Sequence, residues 1–184
     1  MVARLPSRSA GSGRRPGGFD SPLEALAERH GRLQSQCEAL MRLKAHVASA
    51  GADESARAAA RNLRLQFDKV TADTHRDEEQ ALFPALLESM AGSDAVCIRQ
   101  MVDARAAEHR EIEMRWLVLG QWLEAIENGW AAEPERGAVD SFVSLCRSHL
   151  EQEDGELLPM AERLLSDEAL AEIAEAMRQR GEVG

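Results

Sequence analysis

Apolar residues recur every three to four positions along four long stretches of the chain, which is the spacing of amphipathic helices. In the first stretch the recurring positions are Leu23, Leu26, His30, Leu33, Cys37 and Leu40. The pattern predicts long helices over residues 22–49, 54–90, 94–128 and 134–165, and a short amphipathic helix over 167–180. Because the connections between the long helices are short, we expect an all-α protein built as an antiparallel up-down four-helix bundle.

Local signals agree with these helix boundaries. Ser21 followed by Pro22 is typical of a helix N-terminus, where serine caps the first turn and proline occupies its first position. Gly51 and Gly129 follow the first and third predicted helices, where glycine often ends a helix. Pro84 lies inside the second predicted helix, and we expect it to kink that helix because proline removes one backbone hydrogen bond.

Composition and charge narrow the possible functions. The formal net charge is −10, and the first 19 residues contain four arginines and no acid, so the rest of the chain carries −14. Such an acidic body repels phosphates, which argues against nucleic-acid binding. No apolar run is long enough to cross a membrane. We predict a disordered tail over residues 1–19, rich in Gly, Ser and Pro, and a single bundle domain over 20–184.

The number and spacing of the three cysteines indicate the cellular compartment in which the protein works. Cys37, Cys97 and Cys146 are odd in number, far apart in sequence and free of any Cys-x-x-Cys spacing. This pattern is not that of a disulfide framework or a zinc cage, so we interpret them as core or surface thiols of a reduced cytoplasmic protein, with a redox role for one of them as the alternative.

Two pairs of residues suggest metal chemistry. His75 with Glu79, and His149 with Glu153, are spaced four residues apart, which puts each imidazole and carboxylate on one helix face. The flanking positions on both faces are apolar, so both pairs are predicted to point inward. An ionised carboxylate in a core costs several kcal/mol unless its charge is compensated. A divalent metal ion supplies that compensation.

His30 and His109 complete a set of four histidines, one on the inner face of each predicted long helix. Mixed imidazole and carboxylate ligation suits iron, and manganese or zinc are possible alternatives. The fifth histidine, His46, lies near the end of the first helix, and we interpret it as structural or solvated. Glu78, Asp77 and Glu151 flank the candidate ligands, and we interpret them as solvated residues, with a supporting contact to a ligand as the alternative.

The order of these residues resembles the hemerythrin-like family, over about residues 22–165. That pattern is a histidine on the first helix, His-x3-Glu on the second, a histidine on the third and His-x3-Glu on the fourth. The resemblance implies a non-haem di-iron site in which Glu79 and Glu153 bridge two iron ions. It implies metal ligands at the following positions: His30, His75, Glu79, His109, His149 and Glu153.

Two positions separate this chain from the marine oxygen carriers of that family. The carriers have a second histidine four residues after the one on the third helix, where this chain has Glu113. They also place the last carboxylate five residues after its histidine, which here is Asp154. We keep Glu113 and Asp154 as additional candidate ligands. The set of four histidines and two glutamates is similar instead to bacterial iron-centre repair proteins and to an iron-sensing domain of a ubiquitin-ligase subunit.

Three functions follow as hypotheses. The first is a di-iron protein that binds or reacts with oxygen, nitric oxide or peroxide in a redox or nitrosative response. The second is an iron donor or store for the repair of iron–sulfur centres. The third is a metal-free helical module in which the His and Glu pairs only bond to each other. The sequence leaves open whether the protein is an enzyme, a carrier or a sensor, and what its protein partner is.

Overall fold

A computed structural model of the protein describes residues 21–89 and 95–183. The predicted tail and the predicted helix ends at residues 90 and 94 lie outside the described residues. Within them the chain is helical and contains no strand. The helices are α1 (Pro22–Ala50), α2 (Glu54–Asp77), α3 (Phe83–Glu88), α4 (Ala95–Glu127), α5 (Ala138–Gln152), α6 (Leu158–Leu164) and α7 (Asp167–Val183). A first π segment (Glu78–Leu82) joins α2 to α3, and a second π segment (Glu153–Leu157) joins α5 to α6.

The helix ends follow from local side-chain and backbone chemistry. The Ser21 side chain accepts a hydrogen bond from the Leu23 N–H at 3.2 Å, and the Asp53 side chain accepts one from Ala56 at 2.8 Å. Gly51 ends α1 at a positive φ of 76°, which glycine adopts without a steric penalty. The helix predicted from residue 134 begins later, at Ala138, because Gly137 has a φ of 77° and cannot continue a right-handed helix.

Proline affects the second helix differently from the predicted kink. Pro84 lies in the first turn of α3, where its missing N–H costs little. The irregularity comes before it, as the first π segment. The fourth helix has the same construction, with a π segment followed by a proline in the first turn of α6. A π turn holds one more residue than an α turn and is often found at functional sites.

The four long helices pack side by side, α1 and α4 each contacting both α2 and α5. This packing is compatible with a four-helix bundle. The apolar side chains form two separate clusters along its length. One contains Phe67, Trp116, Trp122 and Phe142, and the other contains residues of the π segments, α3, α6 and α7, including Phe83. Trp116, Trp122 and Phe83 are core residues.

The C-terminal helix is attached to the bundle through a buried carboxylate. Asp77, only 3% exposed, pairs with Arg29 of α1 and accepts a hydrogen bond from Arg180 of α7 at 2.6 Å. The interpretation of Asp77 as a solvated residue was therefore wrong, because two guanidinium groups cover it. Asp77 immediately precedes the first π segment, so this contact also holds that segment in place.

Among residues 21–89 and 95–183, every helix is too short or too polar to cross a lipid bilayer.

We expect Asp77→Ala to lower the free energy of unfolding by about 1.5–3 kcal/mol, since it leaves two arginines without their acceptor. Asp73→Ala is the matched control, because the Asp73 side chain is 43% exposed and lies one turn earlier on the same helix. It should change stability by less than about 0.5 kcal/mol. Urea unfolding followed by circular dichroism, at equal metal content, measures both. Equal effects would show that the Asp77 contacts do not hold α7.

Candidate metal centre

Four histidines meet in the interior of the bundle. They come from four different helices, and each is at most 5% exposed: His30 of α1, His75 of α2, His109 of α4 and His149 of α5. They lie between the two apolar clusters, since His30 falls between Leu26 of one and Leu33 of the other. The polar centre is thus a single layer with apolar packing on both sides.

Two carboxylates share this layer. Glu78 and Glu153 are both 0% exposed, and each is the first residue of a π segment. Glu153 was among the predicted ligands. Glu78 had been interpreted as a solvated flanking residue, and that interpretation was wrong because its side chain is completely buried. Glu79, the residue predicted from regular α-helical spacing, instead has a side chain that is 40% exposed.

The inner nitrogens of three histidines face the oxygens of these two carboxylates. His30 Nε2 lies 3.0 Å from Glu78 Oε1 and 3.5 Å from Glu153 Oε2. His109 Nε2 lies 3.3 Å from Glu78 Oε2 and 3.5 Å from Glu153 Oε1. His149 Nε2 lies 3.1 Å from Glu153 Oε2. Each carboxylate therefore lies between histidines of different helices.

The potential ligand atoms form two groups. His75, His109 and His149 each offer an atom within 4.8 Å of the others, and His30, Glu78 and Glu153 form a second group of the same kind. His75 and His109 also stack, with ring centroids 3.8 Å apart. The arrangement provides one position rich in imidazole and one rich in carboxylate.

Each histidine also contacts a carboxylate on its outer side, through Nδ1. The pairs are His30–Asp154 at 2.6 Å, His75–Glu113 at 3.1 Å, His109–Glu79 at 2.7 Å and His149–Glu108 at 2.8 Å. We call Asp154, Glu113, Glu79 and Glu108 the outer carboxylates. An ionised carboxylate only accepts, so Nδ1 donates to it and Nε2 is the nitrogen directed inward. This is how carboxylates orient histidine ligands in metal proteins.

The structure thus divides the sequence-predicted residues into two sets. His30, His75, His109, His149 and Glu153 lie in the inner groups, whereas Glu79, Glu113 and Asp154 lie among the outer carboxylates. Sequence reasoning missed Glu78 as an inner residue and Glu108 as an outer one. A signal for Glu78 was present, since it follows His75 by three residues and so shares its face, but the four-residue spacing of the other pair favoured Glu79. Glu108 adjoins His109 yet contacts His149, which only the packing of α4 against α5 decides.

His46 lies away from this centre. Its Nε2 is 3.0 Å from Asp53 Oδ1, and its side chain is 39% exposed. The contact joins the end of α1 to the residue that caps α2.

Electrostatics supports a cation at the centre. Burial acts to lower the pKa of His30, but hydrogen bonds to Asp154 and Glu78 outweigh it and raise the pKa to about 10. Burial also acts to lower the pKa of His109, but the nearby carboxylates of Glu153 and Glu78 outweigh it and raise the pKa to about 10. Burial would raise the pKa of Glu153, yet the neighbouring histidines hold it below its usual range. The buried carboxylates therefore attract positive charge to this layer.

His75 behaves differently from His30 and His109. Burial, and next the positive charge of neighbouring His109, lower its pKa to about 4. The pKa of His75 is thus shifted in the opposite direction from those of His30 and His109.

Several inner atoms have no hydrogen-bond partner within the part of the chain that the structure describes. They are Glu78 Oε2, His109 Nε2 and both side-chain oxygens of Glu153. Leaving a buried polar atom unpartnered costs free energy. All of these atoms belong to the inner groups and are donors of the kind that coordinate divalent metals. The residues present therefore fit a metal cofactor.

A small apolar cavity adjoins the imidazole-rich group. Its volume is about 10 Å³, which leaves room for one small molecule. Its walls are Leu33, Phe67, Thr71, His75, Ile112, Cys146, His149 and Leu150. Phe67 stacks on Trp116 at 4.1 Å behind it. A small molecule in this cavity would therefore touch two of the histidines in apolar surroundings.

Comparison with known proteins agrees with this centre. A search of curated proteins finds no match to this chain. A family model for the hemerythrin HHE cation binding domain matches residues 21–161, a span that contains all four buried histidines and both buried glutamates. The predicted resemblance is confirmed, and the chain belongs to the hemerythrin HHE cation-binding domain family.

Proposed function

We propose that this protein is a non-haem di-iron protein that binds or reacts with a small ligand, such as oxygen, nitric oxide or peroxide, in a redox or nitrosative response. The observation that carries the proposal is the pair of buried carboxylates, Glu78 and Glu153, lying between histidines of different helices. Two cations sharing two carboxylates would compensate both buried negative charges. Iron suits this mixture of imidazole and carboxylate better than zinc, which favours fewer and more nitrogen- or sulfur-rich ligands.

The chain's own residues would hold the metal and restrict access to it. His30, His75, His109 and His149 would supply imidazole nitrogens, and Glu78 and Glu153 would supply bridging oxygens. Iron would contribute redox and Lewis-acid chemistry. The outer carboxylates would orient the imidazoles, and the apolar cavity beside His75 and His149 would hold a small molecule away from bulk water.

Burial of the inner groups favours a retained cofactor over a transferable one. Every inner residue is at most 5% exposed, so release of iron to an acceptor requires the bundle to open. The unpartnered inner atoms also disfavour a metal-free module, in which the histidines and glutamates would only bond to each other. A sensing, carrying or reacting role therefore agrees better with the geometry than iron donation.

The antiparallel course of the helices is part of the proposal. His30, near the beginning of α1, pairs with Asp154, just beyond α5. Lys44, towards the end of α1, pairs with Asp140, near the beginning of α5. This opposite order of contacts supports an antiparallel arrangement of α1 and α5. A cytoplasmic location is also proposed, on the basis of the odd and dispersed cysteines.

We expect the protein purified from iron-replete cells to contain about two iron ions per chain, one for each inner group. Elemental analysis measures the metal, and visible spectra under nitrogen, oxygen and nitric oxide measure ligand binding. A ligand-dependent visible band is expected from iron that a small molecule can reach. Protein that is free of iron, or filled with another metal, would contradict the proposal.

Glu78→Gln is expected to lose at least one of the two ions, because an amide is a weak and uncharged substitute for a bridging carboxylate. The matched control is Glu79→Gln, which changes the adjacent residue in the same way and keeps an acceptor for His109 Nδ1. The control should keep both ions under saturating iron. Metal per chain after gel filtration separates the two variants. The reverse order of losses would assign the ligand to Glu79.

We expect Glu108→Ala to weaken metal binding about 10–100-fold, since loss of an outer partner leaves a histidine ligand less well oriented. The affected histidine is His149, whose Nδ1 lies 2.8 Å from Glu108. Glu111→Ala, on the same helix and paired with exposed Arg115, is the control. Competition with a chelator of known affinity measures both variants. Equal affinities would show that Glu108 does not position His149.

A further inference from the structure

Two of the three cysteines lie in the core between α1 and α5. Cys37 of α1 and Cys146 of α5 are each 3% exposed and belong to the same apolar cluster. Cys97, in α4, is exposed. The chain therefore contains a buried pair of thiols and, as an internal reference, one thiol open to solvent.

The contacts of α1 with α5 place the buried thiols opposite each other. His30 pairs with Asp154 and Lys44 pairs with Asp140. Along the chain, Cys37 lies midway between His30 and Lys44. The position midway between their partners, Asp154 and Asp140, is residue 147. Residue 147 is exposed and its neighbour Cys146 is buried. The side chain that faces Cys37 across the interface is therefore that of Cys146.

The pKa values of the two thiols agree with this placement. The pKa of Cys37 is lowered, chiefly by a hydrogen bond with the Cys146 thiol, against the opposing effect of burial. The pKa of Cys146 is raised, first by the same bond and then by burial. Cys37 thus has the more thiolate character of the two, which suits its sulfur to attack an oxidised Cys146.

Cys146 also touches the cavity beside the metal centre. It lines the cavity together with His75 and His149. A small oxidant in the cavity would meet the Cys146 sulfur directly, whereas Cys37 is not part of the cavity wall.

We propose that Cys37 and Cys146 form a dithiol that a peroxide in this cavity oxidises to a disulfide joining α1 and α5. This inference rests on the proposed function, in that the cavity must admit the small oxidant. The dithiol would donate two electrons beside the metal centre, so that one peroxide is reduced to two waters while the two thiols are oxidised to a disulfide.

The reaction balances in two steps. In the first, the Cys146 sulfur bonds to one peroxide oxygen, the O–O bond breaks, and the other oxygen leaves as water with the thiol proton. In the second, the Cys37 sulfur bonds to Cys146, the S–O bond of the sulfenic acid breaks, and the hydroxyl leaves as water with the Cys37 proton. Reduction by an external thiol restores the pair.

To test this proposal, the iron-loaded full-length protein is treated with one equivalent of hydrogen peroxide under nitrogen. It is then treated with an alkylating reagent under denaturing conditions. Peptide mapping by mass spectrometry reads the state of each cysteine. We expect loss of both buried thiols and a peptide pair linked through Cys37 and Cys146. Cys97 should stay reduced and therefore be alkylated. Alkylation of Cys37 and Cys146 in full, or overoxidation of Cys146 without a link, would overturn the proposal.

Variants identify the order of events. With Cys37→Ser, we expect oxidation to stop at a sulfenic acid on Cys146, which a 1,3-diketone traps. With Cys146→Ser, Cys37 should stay reduced, because no sulfur lines the cavity. Oxidation of Cys37 in that variant would overturn the assigned order. Circular dichroism confirms folding, and the wild-type mapping needs no variant.

Iron content and the visible band, measured on the same samples, keep this inference separate from the proposed function. Protein that contains iron and shows a ligand-dependent band but keeps both thiols intact would refute the dithiol proposal and leave the di-iron proposal standing. A Cys37–Cys146 disulfide in protein that binds no iron refutes the di-iron proposal and supports the dithiol.

Discussion

Two ionised carboxylates buried in a helical core are the constraint on which the rest of this structure depends. Glu78 and Glu153 are completely shielded from solvent. Removing a carboxylate from water costs several kcal/mol even after relaxation, so each needs nearby positive charge or a cation. The imidazoles of His30 and His109 lie within reach of both. A metal ion would compensate these negative charges more fully, because it would also coordinate the oxygens that have no hydrogen-bond partner.

The π segments explain how two neighbouring acidic residues acquire different roles. In each segment the first residue points inward and the next reaches an outer histidine nitrogen: Glu78 and Glu79 in one, Glu153 and Asp154 in the other. The two segments thus have the same arrangement, in which one carboxylate lies inside the centre and the next contacts a histidine from the outside. The proline after each segment lies in the first turn of a new helix, where it is tolerated.

The layered interior limits the chemistry of the centre. Apolar clusters lie on both sides of the polar layer, so charge inside it is poorly screened and interactions with a bound cation are strong. The cavity beside His75 and His149 is apolar and small. It suits small ligands with little charge, and it brings Cys146 next to whatever enters it. The proposed di-iron centre and the proposed dithiol therefore share one compartment.

Much of this protein could be predicted from its sequence because the signals are local. Helix identity follows from apolar periodicity and from capping residues such as Ser21 and Gly51. The inward direction of the four histidines follows from the same periodicity, because a residue on an apolar stripe is buried when the stripe is. Glu153 could be predicted because it follows His149 by four residues and the regular helix α5 extends to Gln152, immediately before it.

Other features were decided only by the tertiary structure. Regular α-helical spacing favours Glu79, but the chain changes to a π turn at Glu78, which moves Glu79 to the outside. The exchange of roles depends on the packing of the whole bundle, since burying Glu78 is tolerable only where histidines from α1 and α4 meet it. The outer pairs likewise join residues of different helices, and sequence distance carries no information about them. The sequence alone determined that the four histidines and Glu153 lie on inner helix faces, and the packing of four helices decided that Glu78 lies inside and Glu79 outside.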